Sequence, residues 1–471
     1  MPAPKRWEHR AWLAIAVGLY WLLVAGGDSW LLWAIVPGAL LLAAGVALLL
    51  LPGDPRTTQY MALGGVLGVL LAVGAALTAS FGAALLAALG SAACFVVAGR
   101  IALEMEPQYD GAPAIEMSPQ MDARAALDEA LLGYFLASAR MPGGAEGERL
   151  CADAFKLEEA LQSLGGLQDP GLFHAQPPAP SDIDSSTHRI YGSNYEELSW
   201  DSGYAPDELL PGAAVWRSYR ENNQACVRVL RHPGKPRPWL LCIHGYRMGA
   251  AWMDLGLFTP KWLHHALGLN IVQPVLPLHG PRRIGLRSGD GYLDGDLLNL
   301  VHAQSNALWD LRRTIAWIRQ QEEQPRIGVY GVSLGGYNAS LLASYEADLD
   351  FIVAGIPLVD FATATWRFMP PAHLRYFESL GMNEARYREI LRVVSPLARP
   401  PLLAPEKLLI FAGTADRLVV PQQPLSLAQH WNTAITWYQG GHLGLRRAPE
   451  TAETIREAIL RAGWPAFDSA V

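Results

Sequence analysis

Ser333 lies in the run R-I-G-V-Y-G-V-S-L-G-G-Y, Arg326 to Tyr337, where residue types and spacing fit a nucleophile. Ile327 to Tyr330 is a short β-branched and aromatic run, Gly331-Val332-Ser333-Leu334-Gly335 is a G-x-S-x-G pentad, and Gly336 to Ala343 begins a small-residue helix. In a strand, tight turn and helix of this kind the serine hydroxyl is thrust above the sheet, and flanking glycines let strand and helix approach it. A serine hydroxyl is a poor nucleophile at neutral pH. It needs a base to take its proton, a group to orient that base, and N–H donors for the tetrahedral oxyanion. In a chain with 45 glycines the pentad arises by accident with a chance of roughly one in five, so the surrounding elements carry the weight.

Those elements follow a pattern. After about Thr187 the texture becomes strands separated by turn residues: Tyr195 to Trp200, Val215 to Arg220, Ala225 to Leu230 and Trp239 to Ile243, the last followed by His244-Gly245-Tyr246. Strands then alternate with helices, at Ile271 to Val275, within Asp296 to Glu323 (helix), and at Ile327 to Tyr330, Phe351 to Ala354, Leu408 to Phe411 and Ile435 to Tyr438. Leading hairpins followed by βαβ units predict an α/β fold, a mostly parallel sheet with helices on both faces and right-handed crossovers.

At residues 190 to 465 the chain resembles the α/β-hydrolase superfamily, on four separated features in that family's order. His244-Gly245 follows a strand at the family's oxyanion-loop position, and Ser333 is the elbow serine. Ala412-Gly413-Thr414-Ala415-Asp416-Arg417-Leu418-Val419-Val420-Pro421 is similar to the family's acid loop, and Gly440-Gly441-His442 stands after the last strand, where the family puts its histidine. The resemblance implies a catalytic triad of Ser333, Asp416 and His442 in the chain order of this fold. His442 would take the Ser333 proton and return it to the leaving group, and Asp416 would fix the imidazole tautomer and stabilise the imidazolium. The oxyanion donors implied are the backbone N–H groups of Leu334 and Tyr246, supported by Gly331, Gly335, His244 and Gly245.

Each assignment has a plainer counterpart. Ser333 could serve as a helix N-cap and His442 as a surface-turn histidine. Asp360, at the end of the strand before, is a rival acid, because some members of the family place the acid there. His244 in such a loop is more often a structural hydrogen-bonding residue than a proton carrier. A cap insertion is expected at about 359 to 395, where Trp366, Phe368, Met369, Tyr376 and Phe377 surround a Pro370-Pro371 break. Aromatic residues there fit an apolar acyl or ester substrate equally with the cap's own core, which leaves Trp366 and Phe368 as candidate substrate contacts. Arg247, Arg282, Arg283 and Arg287 could meet a phosphate, a carboxylate or a lipid head group, or be solvated or structurally paired.

The first hundred residues read as membrane. Residues 11 to 27, 29 to 53 and 57 to 99 carry no charge, and a helix needs ~20 apolar residues to cross the hydrocarbon core, so four spans are expected at about 11–27, 30–51, 60–78 and 83–100. Ala79-Ser80-Phe81-Gly82 would turn between the last two, and Trp7, Trp12, Tyr20 and Trp21 suit interfacial positions. Lys5, Arg6 and Arg10 resemble the basic region of a signal peptide, but no small-x-small site precedes a polar mature start. Lys5, Arg6, Arg10, Arg56 and Arg100 all fall on one side of this topology, which places the N-terminus and everything after Arg100 in the cytoplasm. No Asp, Glu, Lys, Arg or His lies in the spans before Arg100 at the end of the last, which argues against a transporter, and glycines such as Gly64, Gly65, Gly68 and Gly74 suit close helix packing.

The expected organisation is a transmembrane region at 1–103, a linker and amphipathic helical hairpin at 104–186, and an α/β-hydrolase domain at 187–471. In the hairpin, Ala125, Leu127, Leu131, Leu132, Phe135 and Leu136 mark one helix and Leu150, Ala154, Leu157 and Leu161 the other, joined by Pro142-Gly143-Gly144. Net charge of −7 and basic runs no longer than two residues leave no electrostatic footprint for nucleic acid. Cys94, Cys151, Cys226 and Cys242 are scattered without metal-binding spacing, which fits buried thiols, a reducing compartment, and neither metal nor cofactor. The function expected is a membrane-anchored serine hydrolase acting on carboxylic esters of an apolar or lipid-like substrate through an acyl-enzyme. An acyltransferase, a peptidase and a non-catalytic hydrolase-fold scaffold are the alternatives, and the oligomeric state is left open.

Overall fold

The structure is a computed structural model and describes residues 8–51 and 53–465. Lys5, Arg6 and Trp7, used in the topology argument, lie outside the described residues. The chain forms two compact units. One takes Met1–Ala139, Gly413–Pro421 and Trp437–Ala448, and the other takes Arg140–Ala412, Gln422–Thr436 and Pro449–Val471.

The first unit is helical. Its elements are α1 (Ala11–Tyr20), which runs on as a π turn over Trp21–Ala25, then α2 (Trp30–Trp33), α3 (Ile35–Leu50), α4 (Pro55–Thr78), α5 (Phe81–Met105) and α6 (Pro119–Ser138). Where the sequence predicts four spans, two helices among the described residues, α4 and α5, are long and apolar enough to cross a membrane; Ala11–Ala25 and Ile35–Leu50 are shorter apolar helices. The shortening has a local cause. Gly27 at φ +51° and the 3-10 turn Gly27–Ser29, with Asp28, stop the first helix, and Ala34 separates α2 from α3. Composition registers apolar length but not these breaks. Ser80 caps α5 through the Ala83 N–H, as the predicted turn requires.

Glycines sit where helices touch: a Cβ at Gly65 would lie 2.9 Å from the Ser91 carbonyl oxygen, and one at Gly45 2.9 Å from that of Ala11. Trp21 donates its indole N–H to Ser91 Oγ at 2.9 Å inside this bundle. The outward surface remains apolar, with Leu23, Val73, Leu77 and Phe81 each at least 67% exposed.

Helix α6 departs from the predicted stripe. Its buried face holds Ala125, Ala126, Ala130 and Leu132 together with Asp122, Asp128 and Glu129, while Leu127 is exposed. The carboxylates are inside because each finds donors there, Asp122 from Arg100 at 3.1 Å and the other two from the segments described below. Helix α7 (Gly144–Ser163) falls in the other unit. There it buries Leu150, Ala154, Leu157 and Leu161 in the main core.

The second unit is built on a sheet of β1 (Asp184–Ile190), β2 (Ser193–Asp201), β3 (Gln224–Leu230), β4 (Trp239–Ile243), β5 (Asn270–Pro274), β6 (Ile327–Val332), β7 (Phe351–Gly355), β8 (Leu408–Gly413) and β9 (Ile435–Tyr438), in the order β1-β2-β3-β5-β4-β6-β7-β8-β9. The pairs β1·β2, β2·β3 and β3·β5 are antiparallel, and β5·β4, β4·β6, β6·β7 and β7·β8 are parallel. Strands β4 to β8 are wholly buried, as continuous apolar runs predict for a sheet covered on both faces.

One predicted strand is absent. Residues 215–220 lie in α8 (Ala213–Ser218) and the turn after it, because Gly212 at φ +83° starts a helix and the buried Trp216 packs on Tyr219 and His302. The remaining helices are α9 (Ala251–Leu257), α10 (Leu297–Arg319), α11 (Leu334–Leu342), α12 (Phe361–Phe368), α13 (Pro371–Ser379), α14 (Glu384–Ile390), α15 (Gln422–Trp431) and α16 (Pro449–Arg461). Helices α12 to α14 lie between β7 and β8, within residues 361–390.

Candidate active site

Ser333 joins β6 to α11 at φ 59°, ψ −114°, a conformation costly for a residue with a side chain. Its N–H donates to the Gly355 carbonyl at 2.9 Å and its carbonyl accepts from the Tyr337 N–H at 3.0 Å, so the turn is held on both sides. The glycines of the pentad are required sterically. A Cβ at Gly335 would fall on the Ile243 carbonyl oxygen, and one at Gly331 on that of Gly335. Leu334 opens α11, so its N–H has no intrahelical carbonyl to reach.

The loop after β4 lies against this turn: a Cβ on Gly245 would be 3.6 Å from Ser333 Cβ. His244 is a brace. Its Nε2 accepts from the Leu276 N–H at 3.1 Å and its Nδ1 faces the Gly245 carbonyl at 2.8 Å, while burial pushes the ring's pKa down. Two residues that sequence reasoning passed over fix the rest of the loop. Buried Arg228 reaches Asp254 at 2.8 Å and the Gly249 carbonyl at 2.7 Å, and Asp254 accepts from the Gly249 N–H at 3.0 Å. The Tyr246 ring packs edge-on against buried His279, 5.8 Å between centroids.

In the other unit, the segments after β8 and β9 bring Asp416 and His442 together, with Asp416 Oδ2 2.7 Å from His442 Nδ1. Asp416 Oδ1 accepts from the N–H groups of Leu418 and Val419, at 2.9 and 2.8 Å. With Nδ1 donating to the carboxylate, the neutral ring keeps its lone pair on Nε2, the tautomer a general base needs. Burial pulls the His442 pKa down, but Asp416 and then Asp128 outweigh it and hold the pKa above the ordinary value. Asp360, the rival acid, is engaged elsewhere. It caps α12 through the N–H groups of Ala362 and Thr363 and pairs with Arg388 at 2.9 Å.

The candidate substrate contacts are mostly committed to structure. Arg247 pairs with Asp290, and buried Arg282 with Asp310 at 2.8 Å. Trp366 packs on Tyr387 and, with Met369, Phe377 and Met382, borders a cavity of about 30 Å³ against α7, which makes these residues the insertion's own core. Phe368 lies beneath the Arg367 guanidinium, 5.6 Å from it.

The sequence profile of the prolyl oligopeptidase family (peptidase S9) matches residues 306–449, a stretch that contains Ser333, Asp416 and His442. An uncharacterized protein of Mycobacterium tuberculosis (strain CDC 1551 / Oshkosh) is 39% identical over 318 residues, 67% of this chain and 76% of its own length. The chain belongs to the family of that protein. A second uncharacterized member, from strain H37Rv, is 40% identical over 299 residues, 63% of this chain and 71% of its own. Among solved structures, an acetyl xylan esterase from Paenibacillus sp. R4 aligns with a TM-score of 0.44 and 14% identity over 70% of this chain and 99% of that one. The profile match and the mostly parallel sheet put this family in the α/β-hydrolase superfamily, with an elbow of the serine-hydrolase type.

Proposed function

We propose that the protein is a membrane-anchored serine hydrolase that cleaves carboxylic esters of an apolar or lipid-like substrate. The observation that carries the reading is Ser333 held at positive φ between strand and helix, with the Gly245 loop against it. Strain of this kind persists only where the surroundings over-determine it, and it exposes the hydroxyl for attack. In this reading Ser333 attacks the acyl carbon, His442 takes its proton and returns it to the leaving alcohol, and Asp416 orients the ring. The N–H groups of Leu334 and Tyr246 receive the oxyanion. Water then releases the acyl group by the same steps in reverse order.

The apolar outer surface of α1 to α5 supports the membrane part, because such side chains are costly in water and at ease in lipid. In this reading the enzyme works beside lipid-like esters, with the hydrolase segments on the cytoplasmic side. A fluorophosphonate probe should label the wild type and leave Ser333→Ala unlabelled; equal labelling of both would sink the proposal. The match to the prolyl oligopeptidase family favours one second reading, peptide-bond cleavage through the same acyl-enzyme. Release of acid from p-nitrophenyl esters but not from peptide anilides separates the two.

A further inference from the structure

Helix α6 supplies a carboxylate that sits directly under the histidine segment. Asp128 Oδ2 accepts from the His442 N–H at 2.6 Å and from the Arg417 N–H at 3.3 Å, and its Oδ1 accepts from the Leu443 N–H at 3.3 Å. One side chain therefore joins the acid segment to the histidine segment through three backbone donors. Gly441 makes the approach possible, since a Cβ there would lie 2.5 Å from Asp128 Oδ2.

The neighbours reinforce the same joint. Glu129 receives the Arg417 guanidinium at 2.8 Å and the Thr58 hydroxyl at 2.6 Å, and Arg417 also pairs with Glu106. Arg124, one turn earlier on α6, donates to the Gln439 carbonyl at 2.7 Å, and Gln439 in turn accepts from the Thr414 hydroxyl at 2.9 Å and the Glu116 N–H at 3.1 Å. Residues of a helix outside the sheet thus build the frame on which Asp416 and His442 meet.

We propose that Asp128 is a positioning residue for His442, and that α6, together with the helices before it, completes the catalytic acid–base pair. The inference rests on the triad reading given above. A buried carboxylate so near an imidazole acts in two ways: it fixes the ring's backbone, and as it ionises, near pH 7, its charge favours the imidazolium that forms as Ser333 is deprotonated. The charged groups facing His442 are Asp416 from the acid segment and Asp128 from α6. Arg417, Glu129, Glu106 and Arg124 stand in the layer behind them.

The test uses the full-length protein in detergent and two readouts. Fluorophosphonate inactivation rates are measured against pH for wild type, Asp128→Asn and Asp122→Asn, and the imidazole of His442 is titrated by NMR on histidine-labelled protein, assigned with His442→Gln. Asp128→Asn should lower the plateau rate by about 10- to 100-fold through misplacement of the base. It should also move the acidic limb of the profile, and the NMR titration of His442, to lower pH. Asp122→Asn, on the same helix but paired with Arg100, should leave the limb in place. Because the limb is read from the profile's shape, loss of folded protein does not imitate it. Should Asp128→Asn not accumulate, Asp128→Glu keeps the charge and lengthens the arm, and is expected to lower the plateau with the limb unmoved. A wild-type plateau and limb in the Asn variant, or in its place a wild-type plateau in the Glu variant, overturns the proposal. Absence of labelling in the wild type defeats the triad reading instead, and the NMR shift then decides the positioning on its own.

Discussion

Replacing Arg417 by Met tests whether the acid segment is held by charge. The guanidinium is buried, pairs with Glu129 at 2.8 Å and with Glu106, and burial pulls its pKa down to about 10, so it is still a cation at neutral pH. Methionine fills similar volume and removes the charge. Glu129, itself fully buried, then loses its cationic partner and keeps the Thr58 hydroxyl. Removing one partner of a buried ion pair typically costs about 3–5 kcal/mol, most of it from the carboxylate left behind. Unfolding followed by circular dichroism in detergent should show a loss of that order. Arg417→Met with Glu129→Met should then be less damaging than the sum of the single changes, because the buried negative charge without its guanidinium has gone. A single-variant loss below about 1 kcal/mol, typical of an exposed pair, or strict additivity in the double variant, would refute the argument that the cluster is charge-coupled.

Asp360→Ala should cost about 1 kcal/mol through loss of the α12 cap, with fluorophosphonate labelling of Ser333 unchanged; a collapse of labelling in a folded variant would return Asp360 to the role of acid. The pH dependence of stability carries a second sign test. Burial, then the Asp416 carboxylate, pushes Asp128 up to about 7, above the ordinary value of 3.8, so the folded protein holds a proton there that the unfolded chain releases. The associated stability is present below about 4 and lost as pH rises through about 7. Denaturant midpoints of Asp128→Asn should therefore gain on those of the wild type across that window, whatever their offset at pH 4, and a constant difference would show that Asp128 does not titrate in this range.

The elbow is legible in the sequence because its causes are local. Gly331 and Gly335 are needed by contacts within the same strand, turn and helix, apart from the carbonyls of Ile243 and His244, which an apolar run ending in His244-Gly245 already locates. The parallel strands are legible for a similar reason, as continuous apolar stretches that must be covered on both faces. The misreadings come from signals weaker than the pattern around them. Val215 to Arg220 has β-rich composition, but Gly212 and the burial of Trp216 decide its helix. The first two predicted spans have the right composition, but a positive φ at Gly27 ends the first helix and Ala34 divides the second.

Asp128 and Glu129 were hidden for a different reason. Carboxylates on an amphipathic helix ordinarily mark its wet face, and their donors here are the N–H groups of Arg417, His442 and Leu443 and the side chains of Arg417 and Thr58, remote in the chain. Only one trace of this is visible beforehand. Asp128 and Glu129 follow Ala125 and Ala126 and precede Ala130, so helical periodicity puts them beside small apolar residues rather than opposite them. Small residues of that kind let a helix lie close to another backbone, and acidic side chains among them are tolerated only where N–H groups or cations await. That combination assigns α6 to the framework of Asp416 and His442, in a unit whose other helices have an outer surface suited to lipid. In the proposed enzyme the part that meets the membrane and the part that holds the base are therefore one body.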